Sequence, residues 1–145
     1  MYRKILVPLD GSPTAECILS HARALALSEG AEIILLNVVP GPALEFAFAD
    51  PTISARSLEE QEASGRQYMQ SVQTELEASG FKVSSLFGQG SPAEGILSVA
   101  EQLQVDVIAM STHGRSGPAR WLLGSVAEHV VRHSGQPVLM VRAGV

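Results

Sequence analysis

A stretch near the carboxyl end of the chain carries the residues best suited to chemistry. A Gly/Ser-rich turn over residues 111–117 follows a buried apolar run, and Gly124 and Ser125 come shortly after it. Ser125 and Glu128 have the spacing of a capping box, which predicts that the last helix begins at Ser125, with 118–123 as an approach turn. Free backbone N–H groups and the positive end of the helix dipole would form an anion site there.

The same stretch is locally positive. Between Ser111 and Ala127 there are two arginines, Arg115 and Arg120, and no acidic residue, within a chain of net charge -5. This charge pattern favours phosphate as the anion. Ordinary turn and capping chemistry would explain the same residues without a ligand, so both interpretations stay open. The Walker A pattern GxxxxGK[ST] and the dinucleotide pattern GxGxxG are absent.

Asp10 is the second candidate, since it directly follows the first apolar run. Pro8 cannot donate a ladder hydrogen bond, so the first strand is expected to loosen there. If strands one and four are neighbours, Asp10 faces the turn at 111–117 across the crevice where open α/β sheets bind ligands. Its carboxylate would accept from a ribose or a base. The alternative is an Asx-type cap on the following helix.

Other reactive residues give weaker signals. His113 would touch a phosphate or only stabilise the turn, and His129 and His133 lack further metal ligands at useful spacing. The sequence contains neither a GxSxG elbow nor a Ser/His/Asp order, so it gives no sign of a hydrolase. Cys17 is the only cysteine, which excludes an intramolecular disulfide, and its helical position predicts a small core residue.

Asp10 and the turn at 111–117 lie at the ends of short apolar runs, which are separated by segments with a helical pattern. Nearly continuous runs are typical of strands buried on both faces of a parallel sheet, and the third run is polar enough to predict an edge strand. The order of strands and helices predicts an α/β fold: an open parallel sheet with helices on both faces. The predicted strands are residues 5–9, 33–39, 83–87, 105–110 and 137–141.

Capping signals place the helix starts and stops. Ser12, followed by Pro13, opens the first helix, and Gly30 ends it. Ser57 begins a capping box for the second helix, and Ser91 begins one for the third. Residues 40–56 remain as an irregular loop. Its phenylalanines would fold back onto a helix, cover a ligand or contact a partner.

Length and composition bound the function class. The 145 residues suit one domain spanning 1–145, and 46% hydrophobic against 17% charged residues excludes a disordered polar chain. The acidic balance argues against a nucleic-acid binder. No apolar stretch is long enough for a membrane span, and no secretory signal is visible, so we expect a cytoplasmic protein.

The two ends of the chain resemble the universal stress protein family. The resemblance rests on YRKILVPLDGS at the start and STHGRSGPARWLLGSVAEHVVRHSGQPVLMV at the end. It implies a Rossmann-like five-stranded sheet in the order 3-2-1-4-5. In the family's ATP-binding branch, Gly-x-x-Gly is followed by nine residues and Gly-Ser. Gly114 and Gly124-Ser125 match, whereas Ser111 replaces the first glycine, which is compatible only if that position does not need positive φ.

The resemblance also implies the ligand contacts and the partners. Asp10 would meet the adenine or ribose, Pro8 and Leu9 would line that pocket, and the Val38 backbone would contact adenine. The residues implied around the ribose and phosphates are Met110, Ser111, His113, Gly114, Arg115, Gly124, Ser125 and Val126. Mg²⁺ or Mn²⁺ would be held mainly by the phosphates. Family members commonly form homodimers through the last strand.

The functional hypothesis is an ATP-binding stress sensor or adaptor. One alternative is a slow ATPase or autophosphorylating enzyme; no dedicated general base is evident, so we expect at most very slow hydrolysis. The other alternative is a dimeric partner-binding scaffold without nucleotide, for which the serine at 111 is the best support.

Overall fold

The computed structural model describes residues 1–39, 51–112 and 121–143 of the chain, with the backbone alone at residues 14, 51–58, 61 and 121–124. The elements in chain order are β1 (Lys4–Pro8), α1 (Pro13–Glu16), α2 (Leu19–Glu29), β2 (Glu32–Val39), α3 (Pro51–Ala78), β3 (Val83–Gln89), α4 (Pro92–Gln102), β4 (Val107–Thr112), α5 (Trp121–His133) and β5 (Val138–Arg142).

The strands form one parallel sheet in the order β3-β2-β1-β4-β5. This confirms the predicted fold class and strand order, with the more polar third strand at an edge. The apolar runs are continuous because helices cover both faces of the central strands.

Alternate residues of β1 supply two separate cores. Ile5 and Val7 are fully buried against α1, α2 and α3 on one face. Leu6 is fully buried on the other face with Ile108, in the cluster that includes α4 and α5. Burying a side chain of this size stabilises the fold by about 1.5–3 kcal/mol. We call these the α3 face and the α4–α5 face.

The first helical stretch is divided in two. The Ser12 hydroxyl accepts from the Ala15 N–H at 3.1 Å and opens α1, and Gly30 ends α2 in the left-handed conformation, as predicted. Between them the chain turns at Cys17. The prediction that Cys17 is a core residue is wrong, because this break leaves its side chain exposed.

Two helices begin earlier than their capping boxes predict. Helix α3 starts at Pro51 rather than Ser57, so 51–56 is helical and not part of a loop. Helix α5 starts at Trp121 rather than Ser125. Glu128 pairs with Arg132 at 3.0 Å, one turn further along the helix. Residues 40–50 lie outside the described residues, and the interpretations of that loop stay predictions.

Helix α4 confirms the third capping signal. The Ser91 hydroxyl accepts from the Glu94 N–H at 3.5 Å, and Pro92 occupies the first helical position. Leaving aside the stretches at 40–50 and 113–120, none of the helices has the length and hydropathy to cross a membrane.

Candidate functional site

Strands β1 and β4 separate partway along the sheet. Their register covers only Ile5 with Val107 and Leu6 with Ile108, whereas β1 stays in register with β2 as far as Pro8. Hydrogen-bonding sides alternate along a strand, so the Pro8 nitrogen faces β4, where it has no hydrogen to donate. A crevice therefore opens at the carboxyl ends of these strands. The strand order reverses here, which is where such sheets bind ligands.

A pocket occupies this crevice on the α4–α5 face. The space within it, counted with its open mouth, is about 410 Å³. Strand ends form one side, α4 supplies two residues and α5 supplies one. The lining residues are Pro8, Leu9, Asp10, Leu36, Val38, Pro92, Ile96, Met110 and Val126. Apart from the Asp10 carboxylate, every lining side chain is apolar, which suits a flat base or ring.

The pocket gathers many of the residues that the sequence nominated. They are Pro8, Leu9, Asp10, Val38, Met110 and Val126. Sequence reasoning missed Leu36, Pro92 and Ile96. Leu36 lies two residues before Val38 and therefore on the same face of β2, a signal that was available. For Pro92 and Ile96, only the packing of α4 over the sheet reveals the contact.

Asp10 makes the Asx-type turn that the sequence offered as one interpretation, and it also lines the pocket. Its carboxylate oxygen Oδ1 accepts from the Ser12 N–H at 2.8 Å and from the Ser12 hydroxyl. This is the Asx-type turn into α1, and it fixes the carboxylate at the pocket's rim, where Asp10 is exposed. On the α3 side, burial raises the pKa of the Tyr68 hydroxyl, and the carboxylates of Glu16 and Asp10 raise that pKa further.

Ser111 lies beside the pocket but does not face it. It belongs to β4, in register with Val141 of β5, and is 1% exposed. Its hydroxyl donates to the Ala15 carbonyl at 3.3 Å, on the face opposite Met110. Within the described residues, Gln104 alone among non-glycines has positive φ. Ser111 therefore does not have the positive φ that would require glycine. Serine at the first glycine position of the ATP-binding motif is compatible with this backbone.

The start of α5 shifts the expected anion site by one turn. Because the helix begins at Trp121, its unpaired N–H groups precede Gly124, and Ser125 lies exposed within the helix. The predicted amide cradle would therefore lie nearer Trp121 than Ser125. His113, Gly114 and Arg115 lie outside the described residues, so their placement around phosphates stays a prediction.

The histidines of α5 make ordinary surface contacts. His129 Nε2 lies 3.0 Å from Glu94 Oε1, which links α5 to the start of α4 beside the pocket. The His129 and His133 rings lie 4.5 Å apart between centroids. Where side chains are described, no group of three or more His, Cys, Asp or Glu residues is arranged to hold a metal ion.

Comparison with known proteins identifies the family. The model of the universal stress protein family matches residues 1–142. The chain belongs to the universal stress protein family. Universal stress protein MJ0577 of Methanocaldococcus jannaschii is 36% identical over 98% of this chain and 96% of its own length. The solved structure of MJ0577 gives a TM-score of 0.85, covering 99% of this chain and 98% of that one.

Two further structures show how widely the fold is shared. The universal stress protein UspA of Lactobacillus plantarum is 27% identical with a TM-score of 0.83, covering 97% of this chain and 98% of that one. An Arabidopsis thaliana family protein with AMP bound is 16% identical with a TM-score of 0.66, covering 99% and 93% respectively. At that identity the Arabidopsis protein shares only the fold.

Proposed function

We propose that this universal stress protein binds ATP in the β1–β4 crevice and acts as a nucleotide-dependent stress sensor or adaptor in the cytoplasm. The observation that carries the proposal is the apolar pocket at the reversal of strand order, with the Asp10 carboxylate fixed at its rim. The AMP-bound Arabidopsis structure adds that this fold can hold an adenine nucleotide.

The pocket suits the adenosine half of the nucleotide. Met110, Val38 and Ile96 offer apolar surface to both sides of a flat base. The Val38 backbone, near the end of β2, would contact the edge of the adenine base. Asp10 would accept from a ribose hydroxyl, a charge-assisted bond stronger than a neutral one. These contacts would fix the adenosine with its ribose toward α5.

The glycine-rich segment before and within the first turn of α5 would hold the phosphates. N–H groups at the start of α5, together with Gly114 and Arg115, would supply donors and positive charge, and the sequence has no acidic residue between Ser111 and Ala127. Gly124 would leave room for close approach, and Ser125 would add a hydroxyl. Mg²⁺ or Mn²⁺ would bind mainly phosphate oxygens.

The proposal includes a homodimer formed through β5. This strand lies at an edge of the sheet and is only partly buried along Val138, Leu139, Met140 and Val141. Arg142 is the first charged residue of β5, so the residues before it carry no charge that would oppose pairing with another strand. An apolar edge of this kind pairs readily with a copy of itself.

Calorimetric titration of the purified protein with ATP·Mg tests the proposal. We expect saturable binding at one site per chain. In a melting scan, ATP at about 100 times its Kd should add roughly 2.7 kcal/mol of stability. Gly124→Val, which places a branched side chain beside the phosphates, should abolish ATP binding.

Each failure has a distinct meaning. No saturable binding and no stabilisation by millimolar ATP would leave the dimeric scaffold as the function. Phosphate release above that of Gly124→Val would favour the slow ATPase. Unchanged ATP affinity in Gly124→Val would show that the phosphates bind elsewhere.

A further inference from the structure

Asn37 is a buried polar residue on the face of the sheet away from the pocket. It lies between Leu36 and Val38 on β2, and those two neighbours line the pocket. Side chains alternate along a strand, so Asn37 points to the α3 face, where it is 6% exposed. It therefore cannot touch a ligand in the pocket.

The Asn37 side chain holds the end of β1. Its Nδ2 donates to the Leu9 carbonyl at 2.9 Å, in a buried hydrogen bond. The Leu9 N–H donates to the Leu36 carbonyl at 2.8 Å. Both backbone polar groups of Leu9 are thus bonded to β2 where β1 has already left β4. Leu9 and the adjacent Asp10 form the β1 side of the pocket.

The hydrogen bond from Asn37 to Leu9 comes with an unfavourable burial elsewhere in the same side chain. The Asn37 Oδ1 atom is buried and has no hydrogen-bond partner within the described residues. Helix α3 passes close above it at Gly65, where a Cβ would lie 2.9 Å from that oxygen. A buried acceptor without a partner costs free energy, which an apolar side chain of similar size would avoid.

We propose that Asn37 is a positioning residue for the nucleotide site, which acts through Leu9 to hold the Asp10 side of the crevice open. This inference rests on the proposed function. It assigns Asn37 to the adenosine half of the site, whereas the glycine-rich segment serves the phosphates. Loss of the anchor should therefore weaken adenosine and ATP by the same factor.

Calorimetric titration of the full-length protein with adenosine and with ATP·Mg tests this assignment. Asn37→Leu should weaken both ligands by roughly tenfold, the consequence of a lost buried hydrogen bond. Gly124→Val should lose ATP but keep adenosine. Val72→Ala, a buried change in the same core as Leu9, is the matched control and should keep both affinities. If Asn37→Leu does not fold, Asn37→Ala removes the donor without adding a larger apolar side chain.

Amide hydrogen exchange without ligand gives an independent measure. Exchange at Leu9 should accelerate in Asn37→Leu relative to Val7, and should not do so in Val72→Ala. Unchanged affinities or unchanged Leu9 exchange in a folded Asn37 variant would overturn the inference. If the wild-type protein binds neither ligand, the proposed function fails and Asn37 has no binding role. The exchange data would then report only whether the anchor exists.

Discussion

The two ends of the β1–β4 strand pair are built differently. At the amino ends, the Asp106 carboxylate accepts from the N–H groups of Arg3 at 2.8 Å and Lys4 at 2.9 Å. The Asp106 N–H donates to the Lys4 carbonyl at 2.9 Å. At the carboxyl ends, the register stops at Leu6 and Ile108, and Leu9 bonds to β2 instead.

The difference shows how a parallel sheet makes a ligand site without losing its core. At the amino ends, the Asp106 side chain bonds β1 to β4. At the carboxyl ends the two strands are not paired, and a pocket lies between them. Pro8 ends the ladder toward β4, and Asn37 supports the separated strand end. Substitutions of side chains that line the pocket at the open end should therefore change affinity, and substitutions at the closed end should change stability.

Filling the open end should have the largest effect. Val38→Trp would place an indole in the space proposed for adenine and should reduce ATP affinity at least about a hundredfold, a loss of about 2.8 kcal/mol. Val131→Trp makes the same change at a valine that is 54% exposed outside the pocket. Calorimetry should find its affinity unchanged. Equal losses in both variants would show that the pocket is not the binding site.

Removing the carboxylate at the rim should have the next largest effect. Asp10→Ala should weaken ATP by roughly ten- to a hundredfold, since hydrogen bonds to charged groups contribute about 1.5–3 kcal/mol. Ser12→Ala removes the hydroxyl that donates to Asp10 but keeps the carboxylate and the backbone N–H at position 12 that holds it. It should lower the free energy of unfolding by about 1 kcal/mol and leave affinity within about twofold. An affinity loss as large in Ser12→Ala would assign Asp10 to the turn alone.

Ser111 should affect stability without affecting binding. Ser111→Ala removes the hydroxyl that donates to Ala15 and should lower the free energy of unfolding by about 1 kcal/mol in a denaturant titration. ATP affinity should stay the same, because that hydroxyl faces away from the pocket. A tenfold weaker affinity for ATP would place the hydroxyl against the nucleotide and contradict the described geometry.

Asp106 should give the smallest effect, a loss of stability at neutral pH that disappears in acid. Backbone N–H donation from Arg3 and Lys4 lowers the pKa of the Asp106 carboxyl. Its stabilising contribution is therefore full above the unfolded pKa and is lost as pH falls through the folded one, below about pH 4. Asp106→Asn should flatten the acid limb of a stability profile and leave ATP affinity at pH 7 unchanged. An altered affinity would mean that the closed end also shapes the pocket.

The sequence predicted the sheet better than the helix starts. Continuous apolar runs mark strands covered on both faces, and the position of Asp10 follows from the rule for open sheets. Ser57 and Ser125 were misread as caps, because a Ser-x-x-Glu spacing also fits a helix interior. At Ser125, the glutamate pairs one turn onward with Arg132.

The rest of the pocket depended on long-range packing. Pro92 and Ile96 line it because α4 packs on this face of the sheet. Ser111 stays in β4 because β5 pairs beside it at Val141, a contact that the local sequence does not report. The role of Asn37 follows from a hydrogen bond to Leu9, 28 positions away along the chain.

Methionine methyl NMR during an ATP·Mg titration tests the central claim most directly. The chain has 4 methionines, of which Met110 lines the pocket and Met69 is buried on the α3 face. We expect the Met110 methyl signal to shift saturably, with the Kd found by calorimetry, while Met69 stays unmoved. Saturable heat with an unmoved Met110 signal would contradict the claim that ATP occupies the β1–β4 crevice.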